Sequence, residues 1–144
     1  MAIQREPDAL DLPLPSYATE GSAGMDLYAA VESDITIGAG ERASVRTGIR
    51  IAVPEGFEAQ VRPRSGLARR HGLSVVNTPG TIDSDYRGEI QVLLINLGDD
   101  PVRIRRGDRI AQMVVGPVNR VQWDVTEDLP PTRRGDGGFG HTGS

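Results

Sequence analysis

The sequence predicts an all-β single domain, a jelly roll or distorted β-barrel. Three observations carry that prediction. Eighteen glycines and ten prolines punctuate the 144 residues at short intervals, which favours many short strands over helices. The runs between them are rich in β-branched residues. Alternation with a period of two recurs along those runs, while helical periodicity is nearly absent.

The segments follow in order. "SAGMDLYA" (22–29) sets Asp26 between apolar neighbours where a strand pattern begins. Ile49, Ile51 and Val53 share one face of a strand whose other face carries Arg50 and Ala52. "RPRSGLA" (62–68) places two arginines beside Ser65 and Gly66, and "SGLARRHG" is the one helical candidate, with Ser65 as its expected cap. Asn77 through Gly80 reads as a tight turn, because proline and glycine suit such backbone angles. Asp83, Asp85, Tyr86, Arg87 and Glu89 crowd the next strand, and Asp83 follows Ile82 in a way that points its carboxylate inward, as a candidate general base. "EIQVLLINL" (89–97) is apolar on both faces, the pattern of a central buried strand. Val102 and Ile104 alternate with Arg103 and Arg105. "RGDRIAQM" (106–113) then reads as a turn and a strand carrying Gln112 among apolar residues, where its amide must find a partner in protein or ligand. The first dozen and last dozen residues are expected to be loosely held, giving a barrel over 1–130 and a flexible C-terminal segment over 131–144.

Composition narrows the function. A net charge of −4 argues against general nucleic-acid binding, which usually needs a basic face. No apolar run approaches the roughly 18 residues that cross a bilayer, and the acidic, proline-rich start is unlike a signal peptide. The expectation is a cytoplasmic protein without membrane contact. Absence of cysteine removes disulfides, thiolate metal sites and thiol nucleophiles, and two separate histidines make no histidine-rich metal site. All sixteen basic residues are arginine, so phosphate would be bound by guanidinium forks and backbone N–H groups rather than by a lysine.

The tail "PPTRRGDGGFGHTGS" invites two wrong readings. Gly135 to Gly140 spells a dinucleotide-binding turn, but that turn needs a strand before it and a helix after it. Arg134-Gly135-Asp136 is an adhesion tripeptide that recurs at Arg106-Gly107-Asp108, as chance allows. A spacer made for solubility needs neither a lone phenylalanine nor paired arginines, so the composition of the tail keeps a functional reading open.

Taken together and in order, "AGMDLYA", "PRSGLA", "NTPGTIDSDYRGEI", "GDRIAQM" and "RGDGGFGHTG" resemble the five motifs of the trimeric dUTPase family, over residues 23–143. The resemblance implies a dUTPase-like β-clip subunit, a homotrimer with shared active sites, and hydrolysis of dUTP to dUMP and pyrophosphate. It implies Mg²⁺ held by the triphosphate and water rather than directly by the protein. Carried over to this chain, Asp83 would activate the water that attacks the α-phosphorus. Tyr86 would lie under the deoxyribose and leave no room for a 2′-hydroxyl. Asn77, Thr81 and Ile82 would read the uracil edge beside Gln91. Arg64, Ser65 and Gly66 would hold phosphates, Gln112 would reach the α-phosphate, and Asp26 would support Arg64. From the tail, Phe139 would stack on uracil, Arg134 would act as an arginine finger and Gly140 would approach the phosphates. Nine residues from Pro131 to Phe139 span roughly 30 Å when extended, enough to reach a neighbouring subunit.

Two positions depart from the family pattern: His141 replaces a small hydroxyl residue, leaving it or Thr142 to meet phosphate, and Thr81 replaces a common aliphatic one. Two rivals are weighed. A dCTP deaminase relative would carry a catalytic glutamate where Leu93 stands, and leucine transfers no proton. A non-catalytic nucleotide-sensing module would need neither Asp83 nor a complete tail.

Overall fold

Four small antiparallel sheets share one apolar interior in the computed structural model, which describes residues 1–139 and 141. Strands β1 (Ala2–Arg5), β2 (Met25–Tyr28), β3 (Ile35–Ile37), β4 (Arg42–Arg46), β5 (Ile49–Ala52) and β6 (Phe57–Arg62) precede the helix α1 (Ser65–His71). After it come β7 (Leu73–Val75), β8 (Gly80–Ile82), β9 (Gln91–Asn96), β10 (Val102–Ile104) and β11 (Arg109–Pro117). The sheets run β1-β5, β10-β3, β2-β11-β6-β8 and β4-β9-β7. Strands distant in sequence lie side by side, β2 against β11 and β4 against β9, so the chain wraps its own core as a jelly roll.

Alternation sends Leu27, Val45, Val92, Leu94, Ile110 and Met113 into that core, each almost fully buried. Burial of such a side chain stabilises by about 1.5–3 kcal/mol. Among the described residues one side-chain amide is deeply buried, and it is fully partnered: Asn96 Nδ2 donates to the carbonyls of Ile37 (2.9 Å) and Asp100 (2.8 Å), and its Oδ1 accepts from the Gly98 N–H. That ties β9 to the end of β3.

Three expectations change here. β9 is buried on one face only: Val92, Leu94 and Asn96 point inward, while Gln91 and Leu93 are exposed. A second sheet face that looks apolar in sequence is thus left uncovered within one chain. Helix α1 is capped at Arg64, whose side chain makes no capping bond, so Ser65 occupies the first helical position rather than the cap. The first dozen residues are held in place. β1 pairs with β5, Ala9 and Leu12 are buried, and Asp8 and Asp11 pair with Arg46 and Arg106. The last strand ends at Pro117, and 118–139 run without a named element.

Candidate functional site

Two cavities collect most of the singled-out residues. The first, about 250 Å³, lies between the Asn77–Ile82 hairpin, the loop that follows it and β9. Its floor is apolar, formed by Val61, Val75, Ile82 and Leu93. Asn77, Thr81, Asp83, Tyr86 and Gln91 make its polar rim. Here Ile82 is held by pairing with Ala59 across β8 and β6, which fixes the chain just before Asp83. The Asp83 carboxylate is exposed at the rim rather than turned inward. Gly80 and Ile82 are buried and Thr81 is exposed along β8, so alternation itself puts Asp83 on the face opposite Ile82, away from the core. Tyr86 is nearly half exposed, and its hydroxyl donates to the Glu89 carbonyl at 3.0 Å. Gln91 accepts a short bond from the Ser44 hydroxyl at 2.6 Å.

The second cavity, about 390 Å³, is lined by Asp26, Arg62, Arg64, Ser65, Gly66, Arg109 and Gln112. Three arginines meet one carboxylate there, so the cavity is locally cationic in a chain of net charge −4, the arrangement that concentrates an anion. Asp26 on β2 accepts from Arg64 Nε at 2.8 Å and from Arg109 Nη1 at 3.1 Å. The β2–β11 register slips between Arg109 and Ala111. At this bulge the Arg109 carbonyl accepts from Arg64 Nη1 at 3.2 Å. Arg64 is thereby gripped on one edge, while its Nη2 has no hydrogen bond among the described residues. Arg62 is turned onto the Gln60 carbonyl oxygen of the side chain, at 2.7 and 3.1 Å. Helix α1 is only seven residues long and its dipole adds little, so the positive character comes from the guanidinium groups.

Gln112 has a protein partner: its Nε2 donates to the Pro63 carbonyl at 2.9 Å. This holds the approach to α1 and leaves Oε1 facing Gly24. A methyl group on Gly24 would sit 2.5 Å from that oxygen, so any larger residue there would push the glutamine amide aside.

The two cavities share no lining residue and draw on opposite sides of β6. Val61 floors the first and its neighbour Arg62 lines the second, and successive strand residues point to opposite faces. The tail joins neither. Arg134 donates to the Gly137 carbonyl within its own turn at 2.7 Å, and Phe139 is fully exposed at a φ of 49°. His141 is exposed, with its N–H on the Gly138 carbonyl. Gly140 and Thr142 lie outside the described residues.

Comparison with known proteins decides the family. The dUTPase family model matches residues 11–143. The chain belongs to the dUTPase family. A deoxyuridine 5′-triphosphate nucleotidohydrolase of Ehrlichia canis is 60% identical over 135 residues, covering 92% of this chain and 88% of that protein. Its counterpart in Caldanaerobacter subterraneus is 57% identical over 143 residues, covering 99% and 97%. Among solved structures, the dUTPase of Staphylococcus bacteriophage 80alpha with dUpNHpp superposes with a TM-score of 0.86 at 22% identity, covering 99% of both chains. That dUTPase has the same fold as this chain.

Sequence reasoning overlooked three sets of residues. Arg109 sits inside a quoted motif, yet its grip on Asp26 depends on a bulge that no local pattern announces. Arg46 lies on β4, 43 positions from the Glu89 it binds. Val121, Trp123 and Val125 form an alternating apolar stripe that was open to view, and all three are strongly exposed, Trp123 at 88%.

Proposed function

We propose that this protein hydrolyses dUTP to dUMP and pyrophosphate by water attack on the α-phosphorus, limiting uracil available to DNA and supplying dUMP for thymidylate synthesis. The observation that carries the reading is the first cavity: an apolar floor for a flat ring, edged by Asn77 and Gln91, with Asp83 and Tyr86 on one rim. The names of relatives at 54–60% identity over nearly the whole chain support it.

Within that reading, Asn77 and the backbone of Thr81 and Ile82 pair with the uracil edge, and Gln91 lies alongside. The hairpin is braced against β6, so a methyl on the base meets a wall that yields little. Cytosine would leave buried donors unpaired. Tyr86 supports the deoxyribose and crowds out a 2′-hydroxyl. Asp83 takes the proton of the attacking water, a contribution on the order of 10²–10⁴ in rate. Arg64, Ser65, Gly66 and Gln112 face the triphosphate. Arg134 and Phe139 close over it from the tail, with Gly140 against the phosphates.

Mg²⁺ fits this site as a companion of the triphosphate. No three His, Cys, Asp or Glu side chains converge among the described residues, and the second cavity offers arginines, which repel cations. The phosphate oxygens would supply the ion's ligands, and the ion would offset their charge during the displacement.

Because the two cavities use opposite faces of β6, one nucleotide is best served by the first cavity of one copy and the second cavity of another. A trimer with shared sites satisfies this. The bare apolar stripe of Val121, Trp123 and Val125 also supports a second copy, since such residues leave water only against a partner. Leu93 stands in the cavity floor, where no proton donor replaces it, and this disfavours deamination.

A panel of dUTP, dTTP, dCTP and UTP with Mg²⁺ tests the reading, following pyrophosphate and the nucleoside product. Pyrophosphate from dUTP, cut by about 10²–10⁴ in Asp83→Asn, is the expected result. Binding without turnover would favour a sensor, and ammonia from dCTP would favour a deaminase.

A further inference from the structure

We propose that Glu89 is a positioning residue for the loop that carries Asp83 and Tyr86, acting through a charged chain that begins at Asp8 in the N-terminal segment. The inference rests on the dUTPase reading for its kinetic consequence, and on geometry alone for its mechanical one.

Residues 83–89 form an irregular loop between β8 and β9. Its ends are clamped by strands: Ile82 pairs with Ala59, and the Ile90 N–H donates to the Ile49 carbonyl at 2.9 Å. The stretch between them is exposed apart from Ser84, Gly88 and Glu89. The Glu89 side chain is only 13% exposed and its carboxylate is engaged by two donors. It accepts from Arg46 Nε on both oxygens, at 2.9 and 3.1 Å, and from the Gly48 N–H at 2.8 Å. Arg46 in turn gives its outer edge to Asp8, at 2.7 and 3.2 Å. Charge-assisted bonds of this kind are about twice as strong as neutral ones. Although Glu89 borders the first cavity, oxygens already committed to these donors leave little for a nucleotide. Its effect is therefore on position.

The link to Tyr86 is direct. Tyr86 Oη donates to the backbone carbonyl of the same Glu89 at 3.0 Å. The ring folds back over Gly88, where an added methyl would lie 2.2 Å from the hydroxyl oxygen. The Tyr86 N–H returns to the Asp83 carbonyl at 3.2 Å. Displacing Glu89 thus shifts the phenol that supports the sugar and loosens the turn that begins at Asp83.

The test compares Glu89→Gln and Asp8→Asn with the unaltered chain. Amide exchange across 83–90, measured without nucleotide, should quicken about tenfold in Glu89→Gln and less in Asp8→Asn, while β6 and β11 stay unchanged. The kcat/KM ratio of dUTP to UTP should fall by about tenfold in Glu89→Gln and in the same direction in Asp8→Asn. A residue that only stabilises the fold would lower the melting temperature and leave that ratio alone. Unchanged exchange in the loop of both variants overturns the proposal, as does a ratio within about twofold of the parent's. Should Glu89→Gln fail to fold, Asp8→Asn decides, since its partner lies at the surface. Loss of dUTP turnover in the unaltered chain would defeat the proposed function and leave the exchange result standing.

Discussion

Asp26 is the residue on which the cationic cavity turns, because it holds Arg64 and Arg109 together through separate oxygens. In Asp26→Asn the two guanidinium groups lose their shared anion and Arg64 is free to swing. Hydrogen bonds to charged groups are worth about 1.5–3 kcal/mol, so kcat/KM for dUTP should fall roughly 10–100-fold with the fold intact by circular dichroism. The N-terminal carboxylates speak on pH. Hydrogen bonds from Arg46 and Arg106 hold Asp8 and Asp11 below the usual carboxylate range. A carboxylate with a depressed folded-state pKa stabilises above its unfolded value and loses that contribution as pH falls through the folded one. The double variant Asp8→Asn, Asp11→Asn should therefore melt below the parent above about pH 4. The two melting curves should converge in stronger acid. A gap that persists at low pH would assign the effect to packing instead.

At the level of elements, the strands were legible and their surroundings were not. Ile49, Ile51 and Val53 announce their face by alternation, and all three are buried. The run from Glu89 to Leu97 announces two apolar faces, yet one chain covers only one of them. The candidate site shows the same split. Motif stretches named Asn77, Asp83, Tyr86, Arg64 and Gln112, and the structure sorts them into two cavities that no spacing could separate. Asp83 faces the rim because its neighbour Ile82 takes the inward face and the next side chain points the other way. The Arg46–Glu89 pair was invisible for want of any local signal. The segment after β11 offers a test at this scale. If a second copy covers the stripe, Val121→Ser with Trp123→Ser exposes nothing new in the monomer but removes burial worth about 1.5–3 kcal/mol per side chain. Sedimentation should then show the assembly dissociating at concentrations where the parent remains associated.

At the scale of the whole molecule we propose that a working site draws on two copies, one supplying the cavity with Asp83 and Tyr86 and another supplying the arginine cavity. Both cavities lie in every chain, on opposite sides of β6, and under the proposed shared site activity would be a property of the assembly. The most direct measurement is complementation. Asp83→Asn and Arg64→Ala chains, each nearly inactive alone, are mixed in equal amounts, unfolded and refolded together. Sites drawn from different copies should regain about a quarter of parental dUTP hydrolysis, the statistical share for independent halves. Activity no higher than the sum of the separate variants would mean that Asp83 and Arg64 serve a nucleotide from the same chain, and the shared site would be wrong.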